Sequence, residues 1–224
     1  MTTFLARADR ARLLAERRSE ARDALSFYSE IAGFQNSVDP ANPLSSLPRL
    51  IELVETCGPE PLRAEARVLD EARCRAAIES YLAREDMSSP RSFFARVLLQ
   101  VAPPRASERS DGCPRCGNPP QVGCLRPVGD GTALSLVCSL CFFEWPFPRG
   151  RCNGCRGAVE FHEASELPHL RVQTCASCRR YLHIVRMDAE PAAIPEVDEL
   201  AALSLDVWAR GQGYEKNFPN LLGI

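Results

Sequence analysis

Long apolar runs and a secretory leader are both missing from this 224-residue sequence. No stretch of about 18 consecutive apolar residues occurs, so the sequence predicts no membrane span. Its first residues alternate arginine with apolar side chains and lack the apolar segment and cleavage site of a secretory signal. We therefore expect a cytoplasmic protein, whose eleven cysteines are free or metal-bound because a reducing compartment disfavours disulfides.

The signatures of common enzyme sites are also missing. The sequence contains no Ser-His-Asp order, no paired-carboxylate signature and no glycine-rich phosphate loop. Its three histidines, His162, His169 and His183, are predicted to be structural, since cysteines alone suffice for the sites described below. We therefore expect a protein that is not an enzyme.

Clusters of basic residues are scarce as well. The chain carries 27 basic and 29 acidic residues, and nine arginines against five acids give residues 113–186 a formal charge of +4. If eight thiolates in this region hold two divalent ions, its charge falls to roughly zero. The sequence therefore predicts no general nucleic-acid surface, although a zinc-ribbon nucleic-acid-binding protein remains an alternative.

Eight of the eleven cysteines form four Cys-x-x-Cys pairs. Intervals of 21 residues between pairs one and two, and of 19 between pairs three and four, are typical of zinc ribbons and rubredoxin-like knuckles. We therefore predict two tetrahedral metal sites, each built around a β-hairpin. The predicted ligands are Cys113, Cys116, Cys138 and Cys141 at the first site, and Cys152, Cys155, Cys175 and Cys178 at the second.

The chemistry of these sites stays open at this point. Closed four-thiolate sites that only stabilise short hairpins are one interpretation, and redox-active iron in a rubredoxin-like cage is another. The number of thiolates does not separate iron from zinc. Dithiol redox chemistry is a third alternative, but it needs an environment that favours the thiolate, which these hairpin pairs lack. Cys57, Cys74 and Cys124 are predicted to be buried apolar residues.

Hydrophobic periodicity predicts an α+β protein, in which an N-terminal helical domain precedes two tandem rubredoxin-like or zinc-ribbon modules and a C-terminal helix. The predicted boundaries are a helical domain at 1–101, a linker at 102–112, metal-ribbon modules at 113–149 and 150–187, and a C-terminal helix and tail at 188–224. Within these regions, the predicted helices include 60–84 and 197–210. Phe142, Phe143, Trp145 and Phe147 are expected to pack the two knuckles together.

The local sequence around the cysteines resembles the formate dehydrogenase accessory protein FdhE family. The resemblance covers residues 113–224 well and the N-terminal helices only loosely. It is carried by Cys113-Pro-Arg-Cys-Gly, Leu136-Val-Cys-Ser-Leu-Cys141 with Glu144-Trp145, Cys152-Asn-Gly-Cys155, Cys175-Ala-Ser-Cys178 with Tyr181-Leu182, the segment from Asp198 to Asp206, Gly213-Tyr214 and Pro219-Asn-Leu-Leu.

This resemblance implies a cytoplasmic maturation factor, or chaperone, that binds the catalytic subunit of a formate dehydrogenase. It also implies two metal ions per chain, with iron favoured and zinc the alternative. A nucleic-acid partner is not implied, a homodimer stays open, and a dithiol or metal redox protein remains a further alternative. One departure concerns the third pair, where Arg156 replaces the glycine that follows Cys116, so we expect a slightly looser second site.

Overall fold

A layer of helices covers a seven-stranded sheet in the computed structural model, which describes residues 2–106 and 111–223. Residues 107–110 of the predicted linker lie outside the described residues. Helices come first in the chain, the sheet follows, and short helices lie close to the C-terminus. The predicted fold class, α+β, is confirmed.

Six α-helices form the N-terminal region, and three of them begin at a side-chain cap. Thr3, Asp70 and Ser89 each accept a hydrogen bond from a backbone N–H in the first turn of the helix that follows, as N-cap residues do. The helices are α1 (Phe4–Arg17), α2 (Arg22–Asn36), α3 (Leu47–Cys57), α4 (Glu60–Ala66), α5 (Glu71–Ala83) and α6 (Pro90–Leu99).

The prediction of one continuous helix over 60–84 is wrong. The helix is interrupted after Ala66, and α5 starts again at Glu71. At the break, the carboxylate of Asp70 accepts a hydrogen bond of 2.8 Å from the backbone N–H of Arg73. The Asp70 carboxylate thus replaces a backbone carbonyl as the acceptor for this N–H group. Such a hydrogen bond favours the start of a helix at this position over a helix interior.

The helical layer has its own apolar core. Helices α1 and α2 form an antiparallel pair, and Leu25, Ile31, Leu50 and Phe94 are completely buried between the helices. The side chains of α1 also contact residues 194–201 near the C-terminus. The core of this layer is therefore closed partly by the far end of the chain.

The two predicted hairpins lie in a single sheet. Its strands are β1 (Pro120–Val128), β2 (Gly131–Cys138), β3 (Glu144–Pro146), β4 (Glu160–Glu163), β5 (Leu170–Cys175), β6 (Arg180–Arg186) and β7 (Glu215–Lys216), in the order β3-β2-β1-β6-β5-β4, with β7 also paired to β6. Parallel pairing of β1 with β6 joins the two ribbons. Gly123 lies at this junction, where an added Cβ would come within 2.5 Å of Ile184 Cδ1.

The predicted helix at 197–210 is interrupted. Instead, α7 (Pro195–Asp198) runs into a 3-10 turn at Glu199–Ala201, and α8 (Leu203–Gly211) follows. Glu196 and Asp198 point inwards and pair with Arg7 and Arg10 of α1, at 2.7 and 3.0 Å. A buried carboxylate needs a charged or hydrogen-bonding partner. Because the partners of Glu196 and Asp198 lie on α1, these ion pairs hold the helical layer against the C-terminal segment.

No helix among the described residues is long and apolar enough to cross a membrane.

Candidate metal centres

The eight paired cysteines lie in two groups of four, combined as the sequence predicts. Cys113, Cys116, Cys138 and Cys141 form one group, and Cys152, Cys155, Cys175 and Cys178 form the other. Within each group, all four Sγ atoms lie within 4.8 Å of one another. None of the eleven cysteines is in a disulfide.

The distances between sulfur atoms suit a tetrahedral ion. Cys116 Sγ lies 3.4 Å from the Sγ atoms of both Cys138 and Cys141. In the second group, Cys155 and Cys175 are 3.5 Å apart. A four-sulfur shell with metal–sulfur bonds of about 2.3 Å has edges of about 3.8 Å. Both groups therefore fit one zinc or iron ion each, with only small adjustments of the side chains.

Backbone N–H groups point at the sulfur atoms. The N–H of Arg115 lies 3.4 Å from Cys113 Sγ, and that of Gly154 lies 3.3 Å from Cys152 Sγ. Leu140 N–H points at Cys138 Sγ in the same way, at 3.4 Å. Such donors stabilise the negative charge of a thiolate, so the turns are built to present ionised sulfur to a cation.

Each Cys-x-x-Cys turn ends with a residue in the left-handed region of backbone conformation. This residue is Gly117 in the first turn, but Phe142, Arg156 and Arg179 in the other three, with φ between 55° and 64°. A side chain in this region costs about 1–2 kcal/mol. The sulfur distances are nevertheless similar in the two groups, so the expected looser second site is not observed.

The three larger residues each form an aromatic or cation–π contact with another part of the chain. Phe142 lies 4.0 Å from the guanidinium of Arg7 in α1. Arg156 stacks on Phe147, at 4.8 Å. In the fourth turn, the Arg179 guanidinium lies 4.1 Å from the Tyr214 ring and donates to the carbonyl of Gln212. These contacts offset part of the backbone cost.

Substitution at Arg156 should separate the backbone cost from the side-chain contact. Both Arg156→Ala and Arg156→Gly lose the stacking on Phe147, but only glycine relieves the positive φ. We expect the glycine variant to be more stable than the alanine variant by about 1 kcal/mol in chemical unfolding at constant metal loading. At Arg151, which does not have a positive φ, the order should reverse. An alanine variant at 156 as stable as the glycine variant would contradict this interpretation.

Electrostatics in the first group also favour a bound cation. Hydrogen bonding, first of all with Cys113, lowers the pKa of Cys116 far below that of a free thiol. Hydrogen bonding with Cys113, Cys116 and Cys141 raises the pKa of Cys138. Without a cation, therefore, the first thiolate to form opposes ionisation of the others. A divalent ion would remove this conflict because its charge stabilises all four thiolates.

The surroundings of the two groups differ. Cys113 and Cys138 are completely buried and pack against Tyr81 on α5 and Ala95 on α6. In the second group Cys155 is exposed and Cys178 is half-buried. The first centre is thus part of the interface between helices and sheet, whereas the second lies at the surface.

The other cysteines are only partly as predicted. Cys74 and Cys124 are buried, and burial raises the pKa of both, to about 11 for Cys74. Cys57 is exposed, so the prediction of a buried residue is wrong there. It is the last residue of α3, where the helix meets solvent.

The histidines lie outside both sulfur groups, in agreement with their predicted structural role. His169 contacts Asp198 at 3.1 Å, and His162 lies 4.4 Å from the Trp208 ring. His183 is completely buried, which lowers its pKa to about 3. A histidine with that pKa is neutral at physiological pH.

The aromatic residues between the ribbons have separate partners. Phe147 connects the two ribbons through Arg156, as expected. Phe142 instead packs edge-on against Phe4 of α1, with ring centroids 6.2 Å apart. It therefore links the first sulfur group to the helical layer, a contact that local sequence did not indicate.

Sequence reasoning missed a buried charged cluster where β7 meets the C-terminal helical segment. The Lys216 ammonium lies 2.7 Å from Glu199 and 3.3 Å from Asp206, and all three side chains are at most 4% exposed. Tyr181 donates a hydrogen bond of 2.6 Å to Asp206. Burial raises the pKa of Glu199 despite the nearby ammonium. The available signal was a run of acidic residues inside an apolar segment, within the predicted helix at 197–210.

Comparison with known proteins agrees with this structure. Residues 151–222 match the family model described as FdhE, C-terminal domain. The chain is 33% identical over 116 residues to a protein FdhE homolog of Aquifex aeolicus, and 37% identical over 119 residues to one of Pseudomonas aeruginosa. These matches cover 50% and 49% of this chain, but only 41% and 38% of the relatives. The chain thus aligns with about two fifths of their length.

The crystal structure of the FdhE protein from Pseudomonas aeruginosa superimposes with a TM-score of 0.72 at 22% identity. That superposition covers 98% of this chain and 94% of the other, so the shared fold includes the N-terminal helices. The resemblance predicted from the cysteine motifs is confirmed. The chain is thus similar to FdhE proteins: residues 151–222 match the FdhE C-terminal domain, and the fold is that of the FdhE protein from Pseudomonas aeruginosa.

Proposed function

We propose that this protein is a cytoplasmic accessory factor that binds the catalytic subunit of a formate dehydrogenase and assists its maturation, without catalysing a reaction itself. The observation that carries this proposal is the pair of four-cysteine groups in a chain with an FdhE C-terminal domain. The role itself follows from the family resemblance.

The metal-binding part of the proposal assigns one ion to each sulfur group. The ligands would be Cys113, Cys116, Cys138 and Cys141 at the first centre, and Cys152, Cys155, Cys175 and Cys178 at the second. Iron is the metal we propose, because the family resemblance favours it. Zinc fits the same four-thiolate shells as a structural ion.

A chaperone role suits the way the metal groups are built into the fold. The first group packs between α5, α6 and the sheet, so a bound ion there would rigidify the contact between the two layers. A rigid surface binds a partner with a smaller loss of conformational entropy than a mobile one. Metal loading would then prepare the protein for binding of an incompletely assembled client.

Deletion and complementation test this function. In the source organism, loss of the gene is expected to lower formate oxidation at least about tenfold while the catalytic subunit is still synthesised. Wild-type protein and Cys57→Ser should restore activity, since Cys57 lies outside both sulfur groups. Cys113→Ser/Cys116→Ser should not. The catalytic subunit should also co-purify with the wild-type chain but not with the double variant.

Normal formate oxidation in the deletion strain would disprove the accessory role. Restoration by the Cys113→Ser/Cys116→Ser variant at wild-type protein levels would instead remove the metal centre from the proposed mechanism.

A further inference from the structure

A groove of about 800 Å³ opens on the helical layer, and none of the eight paired cysteines lines it. Four segments border it: α2, the connection from α3 to α4, the start of α6, and the C-terminal tail at 219–223. Its volume is within the range of roughly 300–1,000 Å³ that is common for binding sites. Apolar side chains form most of its wall, among them Phe27, Leu62, Met87, Phe93, Leu221 and Leu222.

The floor of the groove is held by contacts inside the protein. Phe27 and Phe93 stack with ring centroids 5.9 Å apart, and both are buried. Arg96, also buried, donates to Ser139 O, Gln121 Oε1 and Pro219 O at 2.7–3.2 Å. Each guanidinium nitrogen of Arg96 thus has a protein acceptor. This arginine therefore supports the floor and does not offer a free positive charge to a ligand.

The rim of the groove is acidic. Asp23 and Glu30 line it from α2 and are both exposed. Seven residues apart, they lie on one face of the helix, about two turns from each other. Among the described residues, neither forms a salt bridge, and Arg96 is the only basic residue of the lining. The groove therefore combines an apolar wall with a negative edge.

We propose that this groove binds a polypeptide segment in which apolar side chains lie next to arginine or lysine. The apolar wall would bury the side chains of the segment, and the carboxylates of Asp23 and Glu30 would orient its basic end. Incompletely folded proteins expose segments of this kind. The binding of such a segment does not depend on the proposed function. Its assignment to a formate dehydrogenase subunit rests on that function.

The test uses the full chain and two fluorescein-labelled hexapeptides, followed by fluorescence anisotropy. Each peptide has four apolar residues, followed by two arginines in one and by two glutamates in the other. We expect the arginine peptide to bind at least about tenfold more tightly, with an affinity that falls as salt increases. Asp23→Asn/Glu30→Gln should reduce this preference several-fold. The charge-matched control Glu16→Gln/Glu52→Gln, outside the groove lining, should retain it.

Two further readouts locate the binding site. Ser26 is exposed on α2 and lines the groove, so Ser26→Trp should block both peptides without lowering the melting temperature. Cys57 is an exposed thiol of the lining, and the arginine peptide should slow its alkylation, measured by mass spectrometry. The glutamate peptide, which should slow the alkylation of Cys57 less, is the matched reference.

Equal affinity for the two peptides, or unchanged binding in the Ser26→Trp variant, would overturn the proposal. It would also be overturned if the groove is covered by a second copy of this chain, which would give a dimer that Ser26→Trp dissociates. Normal peptide binding in a protein that does not support formate oxidation would contradict only the proposed function. Loss of peptide binding in a protein that still supports it would contradict only this proposal.

Discussion

Replacing Cys113 and Cys116 with serine is expected to remove one metal ion per chain and to lower the free energy of unfolding by about 3–5 kcal/mol. The expected loss is large because the first sulfur group lies in the interface between helices and sheet, against Tyr81 and Ala95. In this variant only two of the four sulfur ligands of the first group remain, too few to hold the ion, and the two layers lose a shared contact. Metal content and chemical unfolding of anaerobically purified protein measure both effects.

The matched comparison is Cys152→Ser/Cys155→Ser. This variant should also lose one ion, but with a smaller loss of stability, because Cys155 is exposed and Cys178 is half-buried. Cys57→Ser should change neither quantity, since it belongs to neither group. Equal destabilisation by the two double variants, or a wild-type chain that folds without metal, would contradict the assignment. Visible absorption of the same samples distinguishes iron, which absorbs through its thiolate bonds, from zinc, which does not.

Replacing Lys216 with methionine is expected to destabilise the protein by about 3–5 kcal/mol. The ammonium of Lys216 lies between the buried carboxylates of Glu199 and Asp206, at 2.7 and 3.3 Å. Methionine keeps most of the volume but leaves the two carboxylates without a cation. Removing one partner of a buried ion pair costs far more than the pair itself contributes. Equilibrium unfolding in urea at neutral pH measures the change.

Two further variants identify the cause. In Glu199→Gln/Lys216→Met, one buried carboxylate is neutral, so part of the lost stability should return. Arg75→Ala removes an ion pair at the surface, in which the side chains of Arg75 and Glu71 are 61% and 68% exposed. This variant should change the free energy of unfolding by less than about 1 kcal/mol. A Lys216→Met variant within about 1 kcal/mol of wild type would show that the cluster is not a stabilising ion pair.

Predictions from local sequence succeeded where neighbouring residues carry the signal. The combination of the cysteine pairs follows from short intervals and hairpins, and the structure brings the same cysteines together. The helix at 60–84 was predicted too long, because the periodicity of apolar residues continues through the break while the cap at Asp70 depends on one side chain. That the eight cysteines bind metal remains a prediction.

The C-terminal segment shows where local sequence was insufficient. Its acidic residues alternate with apolar ones as on a surface helix, yet Glu196 and Asp198 are buried. Their partners Arg7 and Arg10 precede them by 189 and 188 residues. The periodicity of a short sequence window indicates which residues share one face of a helix. It gives no information about contacts with residues that are far away in the chain.

The sequence by itself determined the four Cys-x-x-Cys turns, the two hairpins and the family resemblance, because each depends on residues close together in the chain. Only the tertiary structure decided that the two ribbons share one sheet through β1 and β6, and that the second sulfur group is more exposed than the first. It alone also produced the Lys216 cluster and the groove beside α2. These features form where distant segments pack, so their charge and burial depend on the complete fold.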